Sequence, residues 1–367
     1  MNIITIIGAR PQFIKAAVLS RYIRDNNIGI TETLVHTGQH YDANMSDVFF
    51  DEMDIPRPDY NLHLGSGSHG KMTGAMLSAI EELCLEKKPD ALLVYGDTNS
   101  TLAGALAASK IHIPVAHVES GLRSYMMAMP EEQNRRLTDH LATWLFCPTQ
   151  TAIENLKKEG ITDCKNTAKG KYPSADFKHV SMTGDIMYDA SMHYASLCKK
   201  AASEVIGKEI GGFILTTIHR AENTDDISRL GNIVEAINSA SDKQFVLPLH
   251  PRTRKILNAN GLQFASNVTL IDPVGYFEMI ALEKDCSCIL TDSGGVQKEA
   301  YFFNKPCITM RDSTEWVELV DAGWNTLVGA DKGKICDALR DVKTPAEHPA
   351  LYGDLTCAEK ICGEIRG

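Results

Sequence analysis

Asn2 to Ile7 is a β-rich apolar run, and the turn Gly8-Ala9-Arg10-Pro11 leads into a stretch where Phe13, Ile14, Ala17 and Val18 recur at helical spacing. Together they predict a βα unit at the start of the fold. The alternation continues with strands at Thr33–His36, Ala91–Tyr95, Val115–Val118 and Trp144–Cys147, and helices at Lys71–Leu85, Ser100–Ser109 and Glu131–Thr143. Short apolar strands that alternate with helices imply a parallel sheet covered on its faces.

Between Thr162 and Lys178 the pattern gives way to polar, Lys-rich sequence with Gly and Pro, which reads as a loop or linker. Alternation restarts with strands at Phe213–Ile218, Gln244–Leu249, Val268–Ile271, Cys286–Leu290 and Cys307–Met310, and Cys357–Ile365 suggests a short terminal helix. A chain of 367 residues exceeds what one hydrophobic core usually supports. The fold class expected is therefore α/β, with two Rossmann-like doubly wound domains facing a cleft. Their expected bounds are 1–175, joined by a C-terminal helix at 353–367, and 176–352.

A formal net charge of -10 argues against a nucleic-acid surface and for a small-molecule partner. No apolar run reaches bilayer-spanning length and no signal core opens the chain, so no membrane partner and a cytoplasmic location are expected. The ten cysteines are scattered, mostly within apolar segments, as reduced core thiols are. Cys286 and Cys288 would share one face of a strand, but an isolated C-x-C does not make a metal site, and none is expected.

The chemistry-bearing residues fall at strand ends, where open α/β sheets place ligands. Arg10 and Lys15 flank the first helix N-terminus, a natural place for phosphate. Asp97, Glu119 and Glu131 would gather along one sheet edge, where like charges raise the pKa of at least one toward acid/base use. His219 leaves a strand end beside Arg220, suiting phosphate contact or proton transfer. Ser293, Gly294 and Gly295 let backbone N–H groups approach a diphosphate, and Glu299 lies about one turn later, within reach of ribose hydroxyls. Gly65 to Gly70 matches G-x-G-x-x-G formally but lacks the preceding strand of a dinucleotide site. Gln39 and His40 read as loop polar groups or substrate contacts.

In order, these motifs resemble the non-hydrolysing UDP-N-acetylglucosamine 2-epimerase family. The resemblance rests on GARPQFIK at Gly8–Lys15, HTGQH at His36–His40, YGDTNST at Tyr95–Thr101, HVESGLR at His117–Arg123, PEEQNRRLTDH at Pro130–His140, IHRAEN at Ile218–Asn223 and TDSGGVQKEA at Thr291–Ala300. It implies two Rossmann-like halves as in GT-B glycosyltransferases, a UDP-sugar substrate, inversion at C2, no cofactor, and a homodimer. By the same resemblance Asp97, Glu119 and Glu131 serve the C2 proton chemistry, with the choice of acid and base open, and Arg10, Lys15, His219, Ser293, Gly294, Gly295 and Glu299 hold UDP. Gln39, His40, Arg220, Asn223, Tyr276 and Arg311 are taken as further substrate contacts.

The chain departs from much of the family at Gln12-Phe13 and in the compact segment Ser124–Met129. That segment, with Tyr41–Met45 and Glu315–Glu318, is similar to the branch acting on UDP-2,3-diacetamido-2,3-dideoxy-glucuronic acid, whose charged sugar would suit Arg123, Arg135 or Arg136. Residues after His40 differ from the family's activator loop, so a second, activating sugar site is not expected. Two rivals stand beside the epimerase reading, a GT-B glycosyltransferase and a catalytically silent nucleotide-sugar sensor.

Overall fold

The computed structural model describes residues 1–39, 53–65, 67–164 and 177–366. His40, the stretch Tyr41–Met45 and most of the linker expected at Thr162–Lys178 lie outside the described residues. The chain divides into two compact units, Met1–Ala190 with Ala350–Gly367, and Ser191–Pro349.

The first unit holds strands β1 (Asn2–Ile7), β2 (Thr31–His36), β3 (Tyr60–Asn61), β4 (Ala91–Tyr95), β5 (Val115–Val118), β6 (Trp144–Cys147) and β7 (His179–Met182). They form one sheet in the order β3-β2-β1-β4-β5-β6-β7. Every pairing in it is parallel. Ile3, Ile4, Ile6 and Ile7 of β1 and Leu92, Leu93 and Val94 of β4 are all buried, as strands covered on both faces require. The helix Asn99–Lys110 lies close on this sheet, since a Cβ on Gly104 would sit 3.1 Å from Val94 and 3.2 Å from Ile6. The C-terminal helix Cys357–Arg366 belongs to this unit and packs on the first helix, Arg10–Asn26.

The second unit repeats the plan with β8 (Phe213–Thr217), β9 (Gln244–Pro248), β10 (Val268–Ile271), β11 (Cys288–Thr291), β12 (Cys307–Thr309) and β13 (Asn325–Leu327). Its parallel sheet runs β10-β9-β8-β11-β12-β13. Neighbouring residues of β8 serve opposite faces, as the period of two demands. Ile214 joins a cluster with Leu230, Ile233, Val234 and Ile237 of the helix Ile227–Ser239. Phe213 and Leu215 join another with Val246, Leu282 and Ala300.

Two details differ from the sequence reading. Cys286 is not on a strand: it caps the helix Tyr276–Asp285, and β11 begins at Cys288, so the two thiols do not share a strand face. The helix expected to reach Thr143 ends at Leu141, because Thr143 N already pairs with Val115 O at the start of the sheet. All ten cysteines are free thiols, most of them buried. Among the described residues no helix is long and apolar enough to cross a membrane, and no group of three metal-binding side chains forms.

Candidate active site

In both sheets the strand order reverses at the centre, between β1 and β4 and between β8 and β11. The crevice outside such a switch point is where open α/β sheets bind ligands. Gly8, Asp97, His219 and Ser293 all follow those four strands.

In the first unit, β4 and β5 pair with Tyr95 opposite Val118, so Asp97 and Glu119 leave the same edge side by side. Gly96 (φ 61°) and Glu119 (φ 72°) both take left-handed backbone conformations. That is ordinary for glycine and strained for glutamate, a feature that clusters at functional sites. A Cβ on Gly96 would lie 3.2 Å from Glu119 Oε2 and 3.7 Å from Lys15 Nζ. Lys15 and Glu119 form a buried ion pair.

Asp97 accepts from Arg135 at 2.5 Å and keeps about a third of its side chain exposed (31%). Burial of its carboxyl by the surrounding walls is the largest influence and pushes its pKa up. Arg135 and Lys15 oppose that rise, while the charges of Glu119 and Glu131 add to it. The three acids named from the sequence are thus close enough to feel one another. Glu131 is exposed on the first turn of the helix Pro130–Leu141, whereas its neighbour Glu132 is fully buried. Glu132 accepts from Ser124 N (2.8 Å), Ser124 Oγ (3.0 Å), Arg135 (3.2 Å) and Arg136 (3.1 Å), which hold it below the usual carboxylate range against the cost of burial. It anchors the compact segment 124–129 to the helix.

Arg10 is exposed as the first residue of its helix. Gln12, two residues on, accepts from Gly8 N (2.8 Å) and Ala9 N (3.0 Å) and donates to Tyr95 O (2.7 Å), lacing the β1 turn to β4. Gln39 accepts from the N and Oγ of Ser100, tying it to the helix after Asp97. Arg123 has no exposed side-chain surface. Its guanidinium donates to Asp139 (2.7 Å) and to both oxygens of Glu159 (2.9 and 2.8 Å). Enclosed between those acids, it faces the interior of the unit and not an acidic sugar. Arg135 is similarly committed to Asp97 and Glu132.

In the second unit, Asp292 is the organising residue, and no role for it was read from the sequence. It is fully buried after β11 and accepts from His219 N (3.1 Å), Arg220 N (3.1 Å) and Asn223 Nδ2 (3.2 Å), with His219 Nδ1 at 3.3 Å. The His219 side chain is 53% exposed beyond this anchor. Asn223 also donates to Met310 O (3.0 Å), so Asp292 and Asn223 brace the β8 turn from below.

Ser293 caps the helix Gly294–Phe302. A Cβ on Gly294 would come within 2.8 Å of Glu315, 3.6 Å of Arg220 and 3.7 Å of Arg311, while one on Gly295 would meet nothing within 4 Å. Two guanidiniums therefore converge on a helix N-terminus, an arrangement suited to a phosphate. Burial and then the neighbouring Arg311 charge lower the pKa of Arg220, and Glu315, 2.9 Å from Arg311, neutralises part of the cluster. Glu299 lies against the buried Glu283, whose carboxyl is pushed well above its ordinary range by burial and then by the Glu299 charge. The half-buried Tyr276 phenol is pushed up by the same two influences.

A sequence model of the family described as UDP-N-acetylglucosamine 2-epimerase matches residues 22–366. The chain is 52% identical over 98% of its length to a UDP-2,3-diacetamido-2,3-dideoxy-D-glucuronate 2-epimerase of Pseudomonas aeruginosa, covering 98% of that protein. It is 50% identical to a UDP-N-acetylglucosamine 2-epimerase homolog of Methanococcus maripaludis, over 100% of this chain and 99% of that one. Among solved structures it is similar to the Methanocaldococcus jannaschii UDP-GlcNAc 2-epimerase in complex with UDP-GlcNAc and UDP. There the TM-score is 0.87 at 41% identity, with 100% and 99% of the two chains covered.

Proposed function

The chain belongs to the UDP-N-acetylglucosamine 2-epimerase family, and we propose that it inverts C2 of a UDP-linked 2-acetamido sugar without hydrolysing it. The observation that carries this reading is the set Asp97, Glu119 and Glu131 at the switch point of the first sheet, with the Asp97 carboxyl raised by burial and by its acidic neighbours. Hydrogen at C2 has no adjacent carbonyl to acidify it. Loss of UDP from C1 supplies the needed activation: as the C1–O bond breaks, positive character at C1 loosens the C2–H bond. A carboxylate takes that proton, and a 2-acetamidoglycal and UDP result. Proton return to the other face and re-addition of UDP to C1 complete the inversion.

Glu119, paired with Lys15, and Asp97, whose carboxyl burial pushes up, divide the proton work, one as base and the other as acid, with the roles exchanged in the reverse direction. Glu131, exposed on the same edge, is the third member. The leaving diphosphate falls to Arg220, Arg311, His219 and the Ser293 helix terminus of the second unit, with Gly294 and Gly295 admitting close approach. Glu299 serves the ribose and Tyr276 the nucleotide. Gln39 and Asn223 act by bracing the two turns. The enzyme works as a cytoplasmic homodimer and supplies a precursor of cell-surface polysaccharide.

The same chemistry on UDP-2,3-diacetamido-2,3-dideoxy-glucuronate is a second reading, supported by the 52% identity to a relative of that name. The test is proton NMR in deuterium oxide with each sugar nucleotide in turn. Deuterium entering C2 together with the manno epimer is expected, and the faster substrate identifies the branch. Intact binding with no exchange on either substrate would sink the epimerase reading in favour of a transferase or a sensor.

A further inference from the structure

His117 stands in β5, two residues before Glu119, and has no exposed surface. Its Nε2 lies 2.8 Å from Gly96 O and its Nδ1 2.7 Å from Asp139 Oδ1. A carbonyl oxygen carries no proton to give, so Nε2 must donate. Asp139 uses its other oxygen to accept from Arg123 (2.7 Å) and Gly121 N (3.1 Å). The buried Arg123 guanidinium in contact with Asp139 favours its carboxylate form, so Asp139 is an acceptor on both oxygens. Nδ1 therefore donates too, and the ring carries both protons. With Arg123 and Glu159, the buried group His117⁺, Asp139⁻, Arg123⁺ and Glu159⁻ sums to zero, which is the condition for placing such charges inside a protein.

We propose that His117 is a buried imidazolium that positions both acids of the proton chemistry, clamping the Gly96 carbonyl next to Asp97 while its own strand carries Glu119. Gly96 is tied to β5 twice, through its N to Val118 O (3.0 Å) and through its O to the ring. Both left-handed residues, Gly96 and Glu119, are thus braced at one point, as strained backbone needs in order to persist. His117 does not touch the sugar, so it is a positioning residue. The other ionisable groups around the cluster are Cys147 of β6, whose thiol burial pushes up to about 12, and two that face Glu159, Arg136 at 3.6 Å and His140 at 3.8 Å. None of them contacts the His117 ring.

The inference rests on the epimerase reading only for its effect on rate. The ring state is measured directly by nitrogen NMR of wild-type protein labelled in histidine. At neutral pH both His117 nitrogens are expected to show attached hydrogen. The signal is identified by its loss in His117→Gln or, if that variant does not fold, by its Overhauser contacts. A ring with one bare nitrogen overturns the inference whatever the enzyme's activity. In His117→Gln, C2 deuterium exchange and kcat are expected to fall together by about 100-fold, the cost of roughly 1 Å of misplacement. KM and UDP affinity should stay within about twofold. An unchanged kcat with a normal thermal transition overturns the positioning role. Absence of turnover in the wild type overturns the functional reading, and the positioning role with it.

Discussion

Gly96→Ala tests whether the acids depend on the turn that separates them. At φ 61° an alanine sits in the left-handed region, which costs about 1–2 kcal/mol for a residue with a Cβ. At 2–4 °C per kcal/mol for a unit of this size, the melting transition should drop by roughly 2–8 °C. The new methyl also comes within 3.2 Å of Glu119 Oε2, which cannot simply swing away because Lys15 holds it. The carboxylate must yield by a few tenths of an ångström, and since about 1 Å of misplacement costs roughly 100-fold, the expected loss in kcat is about tenfold. Gly29→Ala is the matched control: its φ is 73° and a Cβ there meets nothing within 4 Å. It carries the same backbone strain with no new contact. Melting curves and C2 deuterium exchange on both variants separate strain from contact. If Gly96→Ala turns over within about twofold of Gly29→Ala, the argument that Glu119 is held at this point is refuted.

Glu119→Gln should keep UDP affinity within about twofold and lose most turnover, as read by calorimetry and exchange; normal turnover would remove Glu119 from the mechanism. Arg123→Met removes the guanidinium from Asp139, which keeps His117, and leaves Glu159 with Arg136 and His140, and breaking a buried pair in this way costs about 3–5 kcal/mol in urea unfolding. The ratio of rates on the acidic and neutral sugars should not change in that variant, and a selective loss on the acidic sugar would restore Arg123 as a substrate contact. Glu283 keeps its proton in the fold at pH values where the unfolded chain releases it, because its folded pKa is raised. Stability from this group therefore falls as pH rises from the unfolded value of about 4.3 toward the raised folded value, by at most about 1.4 kcal/mol per unit. Glu283→Gln removes that slope, so its urea midpoint should gain on the wild type as pH rises above the unfolded value of about 4.3; parallel curves would show that Glu283 is ionised.

The strand ends were legible because an apolar run followed by Gly, Asp or Glu is a local signal, and the parallel sheets follow from it. The partners of those residues were not, because they arrive from far along the chain. Asp139 reaches His117 across 22 positions, and Asp292 meets His219 across 73. The same distance effect hid the enclosure of Arg123, since Glu159 lies 36 positions away. Glu131 and Glu132 look equivalent in sequence, yet one is exposed and the other fully buried. The phase of their helix is set by the N–H groups of Ser124 and Tyr125, which only the fold brings to Glu132. Strands β3 and β13 are two and three residues long, and β7 has no fully buried residue, so none carries enough periodicity to be read.

The return of Cys357–Arg366 to the first helix has a consequence for biosynthesis. Ser191–Pro349 is one uninterrupted stretch, whereas the unit bearing Asp97 and Glu119 is completed only by residues that follow that stretch. Ile361, Cys362 and Ile365 are buried in that helix, a strip of core made after the whole of the second unit. The second unit can therefore close during translation while the first waits, missing one wall. Synthesis of that helix, and not the making of any strand, is the event that completes the unit carrying the acids.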